Sequence, residues 1–189
     1  LNKQDMADEG ETRKWLAYFE ERGHKAVAIN SFEGKNLQAV TKAAQEILKD
    51  TDGKIDIFIS GLGSGGTLQG IGKFLKEKNP NIKVVAVEPK DVSALLGHEP
   101  GLHQIQGIGD GFVPEVLDTA LIDEVVEVSD ADAIYTTRKM AEVYGLLCGT
   151  SSGANVWAAI QMANKYGKEK RVATILADRI ERYFSTNLL

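Results

Sequence analysis

Residues 61–67 read GLGSGGT and directly follow the apolar run IDIFIS at 55–60. Glycines placed between a strand and a helix let backbone N–H groups approach an anion, and the helix start adds its dipole and unpaired donors. Gly63, Gly65 and Gly66 would expose those donors, while Ser64 and Thr67 add hydroxyls that suit a terminal phosphate monoester better than a passing pyrophosphate. Gly61, Gly63 and Gly66 also match the dinucleotide fingerprint, with Glu88 ending the next strand where that fingerprint needs an acid. On spacing alone a phosphate-ester site, an NAD site and a bare βα turn all remain open. A P-loop is excluded, because no Lys-Ser or Lys-Thr pair follows the glycines. At the other end, LNKQD sets Asn2, Lys3 and Asp5 in an Asn-Lys-x-Asp pattern. Asp5 there could accept from a guanine ring, with Asn2 and Lys3 buttressing it; a polar loop with a helix cap accounts for the same residues.

Composition narrows the choice. The formal net charge is -5, which supplies no basic field for nucleic acid or anionic lipid. No apolar run approaches the ~20 residues of a membrane helix. The first residues lack the basic-then-apolar build of a signal peptide. One cysteine, Cys148, leaves no internal disulfide and no Cys-rich metal site. His24, His98 and His103 share no ligand spacing and read as surface residues, so no metal is expected. The expectation is a cytoplasmic protein whose partner is a small anion or phosphate, with no nucleic acid and no membrane, and with its oligomeric state open.

Alternating strand and helix patterns must hold these residues in place. Helical stripes lie at 10–23, 36–50, from the glycine loop to about Lys78, 130–145 and 151–167; in the last, Val156, Trp157, Ile160 and Ala163 read as the inward set. Strand patterns lie at 25–30, 55–60, 83–89, 123–128 and 171–177. The spacing predicts that strand 25–30 lies beside 55–60, with helix 36–50 as a right-handed crossover. Val- and Ile-rich strands separated by amphipathic helices predict one α/β domain over 1–189, a three-layer sandwich with a mostly parallel, doubly wound (Rossmann-like) sheet. Residues 90–122 break every pattern with glycine and proline, and 90–112 is expected to be the least ordered internal segment.

From about Lys54 onward the sequence resembles the second half of cysteine synthase (O-acetylserine sulfhydrylase), a family of fold-type II pyridoxal phosphate (PLP) enzymes. GLGSGGT, NPNIKVVAVEP, HQIQGIGDGFVPEVLDTALIDEVVEVSDADA, GLLCGTSSGAN and ERYFSTNLL carry the resemblance. It implies that Gly63, Ser64, Gly65, Gly66 and Thr67 cradle the PLP phosphate, that Ser151 hydrogen-bonds the pyridine nitrogen, and that Gly107 to Gly109 sit beside the cofactor. On the residues alone, Ser151 or Ser152 would equally serve as the N-cap of the helix that follows. The family's Pro-Asp-Ser-Gly-Glu-Arg-Tyr stretch is ADRIERY here, with Arg179 and Ile180 in place of small residues.

The resemblance also calls for a lysine that holds PLP covalently, in an Asn-Pro…Ser-x-Lys-Asp-Arg segment that this sequence lacks. Residues 1–50, with LNKQD, GETRKWLAYFEERGHKAVAINSFEGKNL and the INS of 29–31, resemble circularly permuted ribosome-assembly GTPases, without their phosphate loop or switch regions. Two resemblances meeting near 46–54 lead to the expectation of an engineered or recombined chimera. In that reading a GTPase-like segment at 1–50 joins a PLP-enzyme-like segment at 51–189, with no catalytic residue and PLP binding weak or absent. Two alternatives stand beside it: a cysteine synthase-type PLP-dependent transferase, and a GTP- or NAD-binding module.

Overall fold

The computed structural model describes residues 37–183. Helix α1 (Leu37–Asp50) leads to strand β1 (Ile57–Gly61), helix α2 (Gly66–Lys78) and strand β2 (Lys83–Pro89). A long connection with a 3-10 turn at Thr119–Leu121 reaches strand β3 (Glu124–Val128). Helices α3 (Asp130–Tyr144) and α4 (Thr150–Tyr166) then precede strand β4 (Val172–Thr174), and a 3-10 turn follows at Ile180–Tyr183. The strands lie in the order β3-β2-β1-β4, every pair parallel.

Side-chain alternation along the strands divides the core into two layers. Phe58, Val84 and Ala86 meet Val40 and Ala44 of α1 and Leu68, Ile71 and Leu75 of α2. Ile57, Ile59, Val85, Val87 and Val126 meet Ala154, Ala158 and Met162 of α4 on the opposite face. Strands buried on both faces need apolar residues at consecutive positions, which is why IFIS and VVAV are unbroken runs. The three-layer, doubly wound α/β sandwich expected from the sequence is the fold observed. Helix α3 starts at Ser129, whose Oγ accepts from the Asp132 N–H at 3.1 Å, and stops at Gly145 in the left-handed region at φ 65.

Carboxylate clips close the N-terminal edge of the sheet. Asp56 accepts from Lys170 Nζ at 2.8 Å and from the Arg171 N–H at 2.9 Å, contacts that hold its carboxyl below the usual range. Burial works to raise Glu124, but hydrogen bonds from Lys165 and Tyr166 outweigh it, and the net shift is downward.

The helix at 10–23 and the strand at 25–30, expected beside 55–60, lie outside the described residues; β1 has β2 on one edge and β4 on the other. Two expectations need correction. In α4 the buried set is Ala154, Ala158 and Met162, whereas Ile160 is 49% exposed. The helix approaches so closely that a Cβ at Gly153 would fall 2.0 Å from Thr137 Oγ1 of α3, and such a contact selects small residues over large ones. Strand β4 ends at Thr174 rather than 177. Beyond it, Asn155 Nδ2 donates to the Ile175 carbonyl at 2.8 Å and the Ala177 N–H donates to Ser152 Oγ at 2.9 Å. Side chains of α4 there take over the pairing that a neighbouring strand would supply.

Candidate functional site

From β1 the chain moves outward to β2 and β3, then returns to place β4 on the other edge of β1. Connections therefore leave β1 in opposite directions, and a crevice forms beyond the carboxyl ends of β1 and β4, where open α/β sheets bind ligands. The loop 61–66, the loop 104–109, the first turn of α4 and residues 175–178 surround it.

The glycine loop is fastened on both sides. Leu62 donates its N–H to the Val87 carbonyl at 2.9 Å and accepts from the Gly109 N–H at 3.0 Å. That zipper drives Gly63 against Gly107 so closely that a Cβ at Gly63 would lie 2.3 Å from the Gly107 carbonyl oxygen. Gly65 is the N-cap of α2 at φ 79, with no side chain capping the helix. The first helical hydrogen bond runs from the Gln69 N–H to the Gly65 carbonyl, so the N–H groups of Gly66, Thr67 and Leu68 have no acceptor within the helix. Pro114 and Val116 fence the loop, at 3.3 and 3.2 Å from a Cβ placed on Gly65. Ser64 and Thr67 are half-buried beside these donors.

His103 secures the neighbouring loop. Its Nδ1 accepts from the Ile105 N–H at 3.2 Å, so Nε2 carries the proton and donates to the Gly109 carbonyl at 3.0 Å. It is half-buried and structural, in place of the surface histidine expected. Glu88 is only 1% exposed, with its carboxylate accepting from Ser93 Oγ at 2.5 Å and from the Ala94 and Leu95 N–H groups at 3.1 and 3.2 Å. An acid consumed by its own loop cannot bind a ribose, which removes the NAD reading. The same bonds, with buried Ile105 and Ile108, tie down a segment expected to be poorly held.

Helix α4 brings polar side chains to the opposite wall. Its N-cap is Gly149, so Ser151 and Ser152 both lie within the first turn and neither is the cap. Ser152 donates to Asp178 Oδ1 at 3.4 Å as well as accepting from Ala177. Ser151 is 4% exposed. Thr150 reaches the Gln104 carbonyl at 3.5 Å, linking this turn to the 104–109 loop. One turn further on, Asn155 is 3% exposed; its Nδ2 is committed to Ile175, and Oδ1 has no partner among the described residues. That oxygen lies 3.4 Å from a Cβ placed on Gly61, at the floor of the crevice. Tyr183 donates its hydroxyl proton to Asp178, and burial followed by that carboxylate pushes its phenol up to about 12. Burial, then Asp178, also pushes the Cys148 thiol up, which makes it a poor nucleophile.

The structure thus joins Gly63 to Gly107 and sets Gly65, Gly66 and Thr67 at an open helix start. Ser151 stands on the facing helix. Asn2, Lys3 and Asp5 lie outside the described residues. Every lysine from Lys54 to Lys170 is exposed or half-buried, and Lys76, Lys139, Lys165 and Lys170 are paired with carboxylates. Among the described residues no helix is long and apolar enough to cross a membrane and no side-chain cluster could hold a metal. The sequence reading passed over Asn155, Asp178 and Tyr183. Asn155 did carry a signal, since it falls four residues after Ser151 on the same helical face.

Comparison with known proteins gives this arrangement relatives. The family described as pyridoxal-phosphate dependent enzyme matches residues 5–178. Cysteine synthase B of Campylobacter jejuni is 49% identical over 162 residues, 85% of this chain and 54% of that protein. Cysteine synthase of Staphylococcus aureus is 47% identical over 144 residues, 76% of this chain and 46% of that protein. The crystal structure of cysteine synthase from Entamoeba histolytica superposes with a TM-score of 0.79 at 36% identity, covering 95% of this chain and 53% of that one. The chain spans about half the length of these relatives. The family match runs through residues 46–54 without a break, so the expected chimera and its GTPase-like segment find no support.

Proposed function

This chain belongs to the pyridoxal-phosphate dependent enzymes, and on that premise we propose that it carries the phosphate- and ring-binding part of a cysteine synthase-type transferase, which converts O-acetylserine to cysteine. The observation that carries the reading is the cradle itself. Gly63 is pressed against the Gly107 carbonyl, with no room for a side chain, beside an uncapped helix start whose N–H groups point outward. Such a site fits a phosphate monoester. Gly63, Ser64, Gly65, Gly66 and Thr67 would hold the PLP phosphate. Gly107 would leave space for the ring, and Ser151 would meet the ring nitrogen from α4. When bound, PLP supplies an electron sink for bond breaking next to the amino-acid α-carbon.

Other residues serve this arrangement from outside the cradle. The Leu62 backbone ties the 61–66 loop to Gly109, the His103 ring braces the 104–109 loop, and Ser152 and Asn155 fix α4 to residues 175–177. The resemblance puts the covalent lysine in an Asn-Pro…Ser-x-Lys-Asp-Arg segment, which this sequence lacks. Titration with PLP, GTP and NAD side by side tests the reading. PLP binding, competed by inorganic phosphate and lost in Gly65→Val with the fold retained, is the expected result. Binding unchanged by Gly65→Val, or a preference for NAD, would place the ligand elsewhere.

A further inference from the structure

Charge is unevenly spread along this chain. Residues 91–137 hold ten carboxylates and no lysine or arginine, so with a formal net charge of -5 for the whole, the remainder is net positive. Three of those carboxylates, on Glu99, Asp110 and Glu115, are exposed beside the crevice and have no hydrogen-bond or ion-pair partner among the described residues. Large apolar side chains stand between them. Leu102 is wholly exposed, Phe112 is 61% exposed, and Val113 and Val116 are each 38% exposed. Close contacts make these one surface. A Cβ at Gly111 would lie 2.9 Å from Pro100 Cβ, which joins 99–102 to 110–113, and Val116 Cγ1 stands 3.2 Å from a Cβ placed on Gly65. The strip thus runs from Glu99 to the edge of the glycine loop. Its backbone is fixed: His103 holds the Gly109 carbonyl at 3.0 Å, and the Leu117 N–H donates to the Pro114 carbonyl at 3.0 Å. Apolar side chains on a fixed backbone lose little freedom when something packs on them.

We propose that this strip docks a polypeptide segment in which apolar residues are interleaved with lysine or arginine. Clustered exposed apolar groups gain by leaving water, and Leu102 and Phe112 supply the anchors. The carboxylates set the sign of the partner. A purely apolar segment would bury Asp110 and Glu115 unpaired, and an acidic one would be repelled. A purely cationic one would leave Leu102 and Phe112 in water. Spacing matches an interleaved partner, since Asp110 lies two residues before Phe112 and Glu115 directly precedes Val116. The proposal is independent of what the phosphate cradle binds.

The probes are short synthetic peptides that alternate lysine with leucine, lysine with serine, or glutamate with leucine. The lysine–leucine peptide should bind the full chain, more weakly as salt rises, and the other two should bind about ten-fold less tightly or not at all. Asp110→Lys combined with Glu115→Lys should weaken its binding about ten-fold at low salt, and Phe112→Ser by a similar factor. Glu77→Lys combined with Glu169→Lys makes the same change of net charge at exposed positions by the opposite, amino ends of the strands. That variant should bind within about two-fold of the parent. Circular dichroism checks that each variant keeps the fold. Equal binding of the lysine–leucine and lysine–serine peptides, or equal losses in the two charge variants, would reveal only a general charge effect and overturn the proposal. Sedimentation covers the remaining occupant. Self-association of this chain that Phe112→Ser abolishes would give the strip to a second copy, and the proposal would again be wrong.

Discussion

Replacing Gly63 by alanine puts the contact between the two glycine loops to the test. The new Cβ would stand 2.3 Å from the Gly107 carbonyl oxygen, where a carbon and an oxygen ordinarily settle near ~3.3 Å, so the backbones must part by about 1 Å. The loops cannot part freely, because the Leu62 carbonyl holds the Gly109 N–H at 3.0 Å and His103 holds the Gly109 carbonyl at the same distance. Overpacking of this kind costs about 1–3 kcal/mol, and losing the Leu62–Gly109 bond adds about 1. A net destabilisation of about 3 kcal/mol should lower Tm by about 6–12 °C for a chain of this size. Gly107→Ala is the control, since its Cβ would meet nothing within 4 Å but its φ of 90 disfavours any side chain. It should cost about 1 kcal/mol through backbone strain alone. Urea unfolding measures the stabilities and a phosphate titration the binding. Gly63→Ala should lose more stability than Gly107→Ala and most of its phosphate affinity. A Gly63→Ala protein within about 0.5 kcal/mol of the parent would show that the loops do not meet as described.

Glu88→Ala should destabilise by about 3 kcal/mol, because it orphans one hydroxyl and two backbone N–H groups in a buried turn. Amide exchange at Ala94 and Leu95 should speed up in that variant, and unaltered protection there would contradict the hydrogen bonds described. Asp56 and Glu124 have folded pKa values below their unfolded ones, so their contribution is complete above about pH 4.5 and lost as pH falls through the lower folded values. Unfolding curves between pH 7 and pH 2 should show the loss, and Asp56→Asn should flatten part of it; an acid limb identical in the variant would rule the Asp56 clip out. Within 90–112 the amides of Ile105 and Gly109 should exchange more slowly than their neighbours, since each is bonded to a fixed acceptor. Uniformly fast exchange across the segment would remove the scaffold that holds Gly107.

The elements most legible in the sequence were those with a strong local cause. IDIFIS and KVVAVEP are buried on both faces, and continuous apolar runs follow directly. Gly65 was legible because an uncapped helix start at positive φ admits few residues. What escaped was set by partners distant in the chain. Glu88 looked like a ribose acid at the right spacing, and only the return of Ser93, Ala94 and Leu95 to its carboxylate shows otherwise. His103 read as a surface residue because its partners, Ile105 and Gly109, are backbone groups that leave no residue-type signal. In α4 the hydrophobic stripe misled, since proximity to α3 and the sheet favours Ala154 and Ala158 over Trp157 and Ile160.

The early end of β4 connects these findings. Thr174 is the last residue paired with β1, and its Oγ1 still donates to the Ile59 carbonyl at 2.9 Å. Had pairing continued, Ile175 and Ala177 would bond along β1, and the gap between the two strands would close over Gly61. Because β4 leaves β1 after Thr174, two residues before β1 ends at Gly61, those backbone groups need other partners, and Asn155 and Ser152 supply them from α4. The same bonds draw the first turn of α4, with Ser151 on it, to the side of the crevice opposite the glycine loop. Two segments separated by more than 80 residues in sequence thus face each other because β4 parts from β1 before β1 ends.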